Sequence, residues 1–237
     1  MSEDTDMHVE IWSDVVCPWC YIGKRRFEAA LAAFPHAADV EVRWRAYELD
    51  PTAPRRQPGA PRPGPGALAD RLAAKMGVPR AQVEAMNAQI TALAHEVGLD
   101  YHLETAVPAN TFDAHRLLAW ALERGAQAPL EERLFHAYFT DGLDVGDHAV
   151  LAELAGQTGL DAAAAAAVLA DADAYADQVR ADIELAGQLG ATGVPFYVLD
   201  RRYGVSGAQP TELFAQALTQ AWEAGHGAAA TRPAAGA

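Results

Sequence analysis

The sequence predicts an α/β fold in which a βαβ segment and a ββα segment share one sheet, with a large all-helical insertion between them. Residues 8–13 and 40–49 alternate polar and apolar side chains, as strands do. Residues 67–190 show only helical spacing, and β-rich runs return at 194–199 and 203–206. These three observations place strands near both ends of the chain and helices between them.

The first segment is defined by a stripe of apolar residues between its two strands. Cys20, Phe27, Leu31 and Phe34 follow one another at steps of seven, four and three, which is helical spacing. Pro35 comes directly afterwards and ends the predicted helix. The order strand, helix, strand predicts a right-handed unit with parallel strands.

The middle of the chain begins with a proline-rich stretch. Residues 51–66 contain six of the 14 prolines together with Arg55, Arg56 and Arg62, so we expect an exposed loop. Seven helices are predicted after it, at 68–76, 80–97, 111–124, 130–140, 147–158, 161–170 and 173–189. A β-hairpin and a last helix over 210–222 complete the pattern.

These runs set the predicted domain boundaries. Residues 1–66 and 191–224 form the two halves of the sheet domain, 67–190 form the helical insertion, and 225–237 form a disordered tail rich in Gly and Ala. A βαβ half and a ββα half around one sheet is the thioredoxin-like architecture.

Composition excludes several classes of partner. Hydrophobic residues make up 51% of the 237 residues, which is enough for a sizeable core. The net charge of -14 argues against nucleic acid and anionic membranes, because both are polyanions that bind clustered cations. No stretch approaches the ~20 apolar residues of a membrane span, and the acidic residues 1–6 do not resemble a signal peptide. We therefore expect a cytoplasmic protein.

The two cysteines of the chain, Cys17 and Cys20, lie in a single Cys-Pro-Trp-Cys motif at the start of the first predicted helix. A disulfide scaffold would spread several cysteines along the chain, and a structural zinc site needs four ligands, so we expect redox chemistry and no metal. The free amides at a helix N-terminus stabilise a thiolate there. We predict that Cys17 is the accessible nucleophile and that Cys20, on the apolar stripe, is the buried and protonated resolving thiol.

Gly193-Val194-Pro195 leads into a predicted strand, where proline costs a ladder hydrogen bond. A trans proline at a strand edge is the commoner arrangement, but the pairing with a Cys-x-x-Cys motif favours a cis Val194–Pro195 bond. The cis bond would let Val194 offer its N–H and C=O to a peptide substrate. We expect Pro18, Trp19 and Val194 to contact substrate.

Three motifs together resemble the DsbA-like thioredoxin-fold oxidoreductases, specifically their FrnE-like branch. They are Trp-x-Asp-x-x-Cys-Pro-Trp-Cys-Tyr-x-Gly from residue 12, Asn-Thr-x-x-Ala-His-Arg from residue 110 and Gly-x-x-Gly-Val-Pro-Phe-Tyr from residue 190. The likeness runs from about residue 8 to 222. It implies a thioredoxin domain interrupted by helices, thiol–disulfide oxidoreductase or isomerase activity, and a redox-active Cys17–Cys20 disulfide with Pro195 as a third active-site residue.

Three further residues near the cysteines bear on their chemistry. Trp19 stands where the DsbA motif has histidine, which predicts a less oxidising pair. Lys24 could stabilise a thiolate, but such a lysine more often extends to solvent. Asp14 could carry a proton to or from Cys20, although a loop aspartate before a helix is more often a cap.

His115 and Arg116 fall in the second motif and are predicted to face the cleft and bind substrate. Equally, that motif could simply mark the start of a helix, with Asn110 and Thr111 as its cap.

Two other functions share this fold class. Kappa-class glutathione transferases and 2-hydroxychromene-2-carboxylate isomerases use glutathione, but usually have serine at the position of Cys17. The other alternative is a holdase whose groove binds unfolded chains. We expect no cofactor beyond glutathione as a co-substrate, thiol or disulfide proteins as partners, and a monomer or homodimer.

Overall fold

The computed structural model describes residues 7–56 and 61–226, and the predicted fold is confirmed. The predicted tail beyond residue 226 and the acidic N-terminus lie outside the described residues. The elements, in chain order, are β1 (Met7–Ser13), α1 (Pro18–Ala32), β2 (Val40–Ala46), α2 (Ala67–Met76), α3 (Arg80–Glu96), α4 (Phe112–Leu122), α5 (Gln127–Phe139), α6 (His148–Gln157), α7 (Ala162–Ala170), α8 (Ala176–Gln188), β3 (Phe196–Leu199), β4 (Tyr203–Ser206) and α9 (Thr211–His226).

The four strands form one mixed sheet in the order β2-β1-β3-β4. β1 pairs with β2 in parallel, with Ile11 opposite Trp44, and β3 pairs antiparallel with both β1 and β4. Strand β1 is therefore central, and the loop that follows it carries the cysteine motif into α1. The sheet thus places the motif at the end of its central strand.

Two hydrophobic cores meet at α1. One lies between the sheet and helices α1 and α9, where Ile11 and Tyr197 pack with Phe27 and Phe214. The other fills the helical insertion and also includes Cys17, Cys20 and Tyr21. The cysteine motif therefore lies where the sheet half meets the helical insertion.

One of two predictions about exposed segments needs correction. The prediction of an exposed loop at 51–66 is confirmed for most of its described residues, although the Arg56 guanidinium is paired with Asp144 and Arg62 donates to the Gly142 carbonyl. Helix α9 continues to His226, two residues into the segment predicted as tail, because Gly225 does not interrupt its last turn. No helix among the described residues is long and apolar enough to cross a membrane.

Candidate active site

The Cys-Pro-Trp-Cys motif forms the start of α1. Cys17 directly precedes the helix with an extended backbone (φ -88°, ψ 112°), and its N–H donates to the Asp14 carbonyl at 2.8 Å. Pro18 is the first helical residue, where its missing N–H leaves no helical bond unmade. This turn puts the Cys17 side chain at the positive end of α1 and Cys20 in the first helical turn. Both cysteines are free thiols, and they lie close enough for the Cys17 thiol to raise the pKa of Cys20.

The two thiols differ less in exposure than the sequence predicts. Cys20 is fully buried, as expected, and burial together with the Cys17 thiol raises the pKa of Cys20 well above its ordinary value. The expectation that Cys17 is accessible is wrong, because only 3% of its surface is exposed. The helical insertion covers it: the Tyr101 hydroxyl donates to the Pro18 carbonyl at 2.8 Å, which fastens α1 to the segment after α3. Trp19, at 38% exposed, is the most accessible side chain of the motif.

The Val194–Pro195 bond is cis, as the sequence predicts, and this segment lies beside Cys17. The Cys17 thiol donates to the Val194 carbonyl, with 3.6 Å between sulfur and oxygen. Gly23 permits this approach, because a Cβ there would lie 2.6 Å from the Tyr197 hydroxyl and 3.0 Å from Pro195 Cγ. Helix α1 can therefore pack directly against the proline segment only with glycine at this position.

Two polar groups at the end of β1 lie beside Cys20. The Ser13 side chain and the Asp14 backbone both lower the pKa of Cys20, against the larger effect of burial. The Ser13 hydroxyl also donates to Glu131 Oε1 at 3.1 Å. Burial raises the pKa of Glu131 to about 7. The sequence reasoning missed Glu131, which lies 118 residues from Ser13 and matches no local motif.

The prediction that Lys24 extends to solvent is wrong. Its residue surface is 4% exposed, and its Nζ lies 2.5 Å from Glu28 Oε1 and 2.5 Å from Glu132 Oε2. Arg25 and the Tyr21 hydroxyl also donate to Glu132. A buried ammonium is stable only when carboxylates pair with it, and α5 supplies one of them. This network joins α1 to the helical insertion.

Asp14 is not a helix cap, since no side chain caps the start of α1. It is buried, its Oδ2 accepts the Leu49 N–H at 2.7 Å, and its Oδ1 lies 3.6 Å from His115 Nε2. His115 Nε2 is 2.9 Å from the Tyr47 carbonyl, so this nitrogen carries a proton and donates it. Burial lowers the pKa of His115, but Asp14 outweighs burial and the net shift is upward. His115 therefore faces the Asp14 loop instead of an open cleft.

The prediction that Arg116 faces the cleft is also not met. The side chain is 1% exposed and donates to the carbonyls of Ala174, Val168 and Asp171 and to the Asp113 carboxylate. Four acceptors from the α4 and α7–α8 segments use its donors, so the guanidinium holds helices together. The alternative prediction, that the motif marks the start of a helix, agrees better with the structure, because Asn110 Oδ1 accepts the N–H of Phe112, the first residue of α4.

An apolar cavity of about 170 Å³ opens beside the motif. Its apolar lining comes from the motif and from the helical insertion and includes Val16, Pro18, Leu68, Leu72, Leu103 and Phe139. Asp50, Arg71 and Lys75 supply charges at the same cavity. In ranges 7–56 and 61–226, no three His, Cys, Asp or Glu side chains are grouped as a metal site. The cavity therefore presents an apolar surface beside Val16 and Pro18, the two residues that flank Cys17.

Comparisons with known proteins place this fold in a family. The profile of the DSBA-like thioredoxin domain matches residues 8–219. A structure from Streptomyces coelicolor, named a probable DsbA oxidoreductase, is 48% identical, covers 98% of this chain and 93% of its own, and superposes with a TM-score of 0.84. The YwbO protein of Bacillus subtilis is 27% identical over 216 residues, which is 90% of this chain and 96% of YwbO.

More distant structures share the fold. The cytosolic disulfide reductase DsbM from Pseudomonas aeruginosa is 19% identical, with 90% of this chain and 98% of DsbM covered and a TM-score of 0.61. A 2-hydroxychromene-2-carboxylate isomerase is 15% identical, with 95% and 100% covered and a TM-score of 0.64. One fold thus carries both chemistries that the sequence suggests.

Proposed function

Because this chain belongs to the DsbA-like thioredoxin-domain family, we propose that it exchanges disulfides with protein or small thiol substrates through Cys17 and Cys20. The observation that carries the proposal is the placement of two free, adjacent thiols at the N-terminus of α1, with the Cys17 thiol donating to the carbonyl that precedes cis-Pro195. Cys17 lies at the N-terminus of α1, the end of a helix that favours a negative charge.

The reaction proceeds in two exchanges. The Cys17 thiolate attacks a substrate disulfide, forms a mixed disulfide and releases the first substrate sulfur as a thiolate. Cys20 then loses its proton and attacks Cys17 Sγ, which releases the second substrate sulfur and leaves the Cys17–Cys20 disulfide. Two electrons pass from the enzyme to the substrate, and oxidation of a dithiol substrate is the same sequence in reverse.

The surroundings of Cys17 support a role in holding substrate. When Cys17 is a thiolate it no longer donates to the Val194 carbonyl, so this acceptor becomes free for a substrate N–H. Trp19 offers an exposed ring next to the thiol, and the apolar cavity takes a side chain of the substrate. The cover over Cys17 must move for a folded protein to reach it, so extended peptides and small disulfides are the favoured substrates.

Glutathione is a candidate co-substrate, and the cytosol a candidate compartment. A Pseudomonas aeruginosa DsbM of the same fold is named a cytosolic disulfide reductase and has a structure with glutathione. In a reducing compartment the Cys17–Cys20 disulfide would be returned to the dithiol by a thiol of this kind.

Insulin reduction with dithiothreitol tests the proposal. Wild-type protein should accelerate precipitation of the insulin chains, and Cys17→Ser should abolish the acceleration. Cys20→Ser, a matched control with the same atom change, should instead accumulate a mixed disulfide at Cys17 because the resolving thiol is missing. No thiol exchange in the wild type would contradict the proposal. Isomerisation of an aromatic substrate with glutathione, or suppression of aggregation by a variant lacking both thiols, would then favour the isomerase or the holdase.

A further inference from the structure

A cavity of about 600 Å³ lies on the sheet near the first residues of β1. The cysteine motif follows the other end of this strand, about 13 Å further along, because a strand rises about 3.3 Å per residue. Four arginines line the cavity: Arg43, Arg45, Arg201 and Arg202. In a chain with a net charge of -14, this concentration of cations is a local feature that requires its own explanation.

The register of β1 and β2 explains why the floor of the cavity is polar. Glu10 lies opposite Arg43, and the residues on either side of Glu10 point into the core under α1 and α9. Helix α8 packs on the polar face further along β2, where Arg45 Nη1 donates to Asp182 Oδ1 at 2.8 Å. The beginning of this face therefore forms the floor of the cavity.

The carboxylates around the cavity already have partners. Glu10 Oε1 accepts from Arg45 Nε at 2.9 Å, and Glu41 Oε2 lies 3.0 Å from His8 Nδ1. Asp200 Oδ1 accepts the His8 N–H at 2.9 Å, which fastens the turn between β3 and β4 to β1. These contacts neutralise Arg45 but none of them involves the other three arginines.

Arg43 is a cation that the surrounding protein does not satisfy. Its side chain is half-buried, and its Nε is buried without a hydrogen-bond partner among residues 7–56 and 61–226. Burial and the neighbouring Arg45 charge lower the pKa of Arg43 by more than the nearby carboxylates raise it. A buried donor without an acceptor costs free energy, and an anion bound at the guanidinium group would offset that cost.

The turn between β3 and β4 brings the other two arginines to the rim. Asp200 and Arg201 have φ angles of 48° and 55°, so Arg201 occupies the second position of a hairpin turn in which glycine is strongly preferred. Its side chain is 84% exposed, and its Nε lies 3.8 Å from Glu10 Oε2, which is too far for a hydrogen bond. Arg202 Nη1 donates to the Ala224 carbonyl at 3.1 Å, which holds its side chain at the end of α9. The turn thus keeps a guanidinium group at a position whose backbone disfavours it.

We propose that this cavity binds a small molecule that carries a diphosphate group, and that Arg43, Arg201 and Arg202 hold the phosphates. A guanidinium group suits this role because its N–H groups donate in parallel to two phosphate oxygens. Arg43 lies on β2 and the other two arginines follow β3, so about 10 Å of sheet separates them. Two linked phosphates offer oxygens to both sides of the cavity at once.

The lining also indicates which part of the ligand is recognised. None of the described lining residues is Phe, Tyr or Trp, and most of them are charged. The phosphates therefore supply the affinity, whether they are free or attached to a nucleoside. The site is independent of the proposed thiol exchange, because it lies at the other end of β1 from the cysteine motif.

Isothermal titration calorimetry of the full chain with sodium pyrophosphate, at low ionic strength and without divalent cations, tests the proposal. The wild type should bind one equivalent, about tenfold more tightly than orthophosphate, because the second phosphate adds charge-assisted hydrogen bonds. Added salt should weaken the binding. Equal affinity for ADP and pyrophosphate would support recognition of the phosphates alone, and tighter binding of ADP would support a nucleotide as the natural source.

Two variants test the assigned residues. Arg43→Met removes the guanidinium group but keeps an apolar stem, and it should raise the Kd for pyrophosphate at least about tenfold. Arg201→Gly should also raise the Kd about tenfold without lowering the melting temperature, since glycine suits the positive φ. Arg80→Met is the matched control: it removes a half-exposed arginine of α3 and should leave the Kd as in the wild type.

Three results would overturn the proposal: no binding of pyrophosphate to the wild type, a wild-type Kd in Arg43→Met, or an equal loss of affinity in Arg80→Met. The last result would show a general effect of charge. Insulin reduction should proceed at the wild-type rate in all three variants, so a failure of the diphosphate site is distinguishable from a failure of the proposed function.

Discussion

Glu131 and Glu132 are consecutive residues of α5, yet their carboxyl groups titrate on opposite sides of the ordinary value of 4.5. Glu131 points towards the end of β1, where burial raises its pKa to about 7. Glu132 points along α1, where burial is outweighed by hydrogen bonds from Arg25, Lys24 and Tyr21 and the pKa falls to about 2. Because the residue type and the helix are the same, the difference comes from the deeper burial of Glu131 and from the cationic partners of Glu132.

The contact between α1 and α5 has two structural roles. On one side, the network of Glu132, Lys24 and Arg25 holds the helical insertion against the helix that carries the thiols. On the other side, the insertion delivers a carboxyl group without a cationic hydrogen-bond partner to the hydroxyl beside Cys20. The insertion therefore reaches the end of β1 beside Cys20 as well as covering Cys17.

The largest expected effect is a pH-dependent gain of stability in Glu131→Gln. Between pH 4.5 and 7 the unfolded chain loses the Glu131 proton while the folded protein keeps it, so stability falls as pH rises. A pKa rise from 4.5 to about 7 corresponds to about 3 kcal/mol over this window. Urea unfolding at pH 5 and pH 8 should show this loss in the wild type and its absence in the variant. If the free energy of unfolding changed equally with pH in the wild type and in Glu131→Gln, the pKa of Glu131 would not be raised in the folded protein.

Glu132→Gln should remove a pH dependence of stability that has the opposite sign and occurs at acid pH. The folded pKa of Glu132 is lowered, so its contribution is present above pH 4.5 and is lost as pH falls towards about 2. Since a third of the side chain is exposed, we expect only about 1–2 kcal/mol after solvent screening. Between pH 5 and 2 the free energy of unfolding should therefore fall less steeply with pH in the variant than in the wild type. An unchanged slope would mean that the network contributes nothing to stability.

The smallest expected effect is an electrostatic coupling between Lys24, which belongs to the Glu132 network, and the carboxyl group of Glu131. The Lys24 charge lowers the pKa of Glu131, so Lys24→Met should raise that pKa. A ¹³C NMR titration of labelled glutamate carboxyls measures the change, with the Glu131 signal assigned by its loss in Glu131→Gln. Arg25→Met is the control, because Arg25 bonds to Glu132 and should leave Glu131 unmoved. Equal shifts in the two variants would contradict the coupling.

The fold could be predicted because its signals are local. Alternation marked β1 and β2, helical spacing marked the insertion, and the stripe with Phe27 correctly placed Cys20 in the core. The cis bond before Pro195 was also predicted, since the motif pairing is a sequence feature.

The rest of the site depends on contacts between distant residues. The cover over Cys17 includes Tyr101, which lies 83 residues from its partner Pro18, and Lys24 is buried because Glu132 reaches it from 108 residues away. Local spacing carries no information about such partners. The same limit explains why Arg116, part of a recognisable motif, bonds to helix ends instead of facing the cleft.

A brief pulse of iodoacetamide on the reduced protein tests the division of roles between the two thiols most directly. Cys17 lies at the N-terminus of α1 with slight exposure, whereas Cys20 is fully buried with a raised pKa. Mass spectrometry of the quenched, digested protein should therefore find the label on Cys17 and not on Cys20. Faster labelling of Cys20, or equal labelling of both, would contradict Cys17 as the nucleophile.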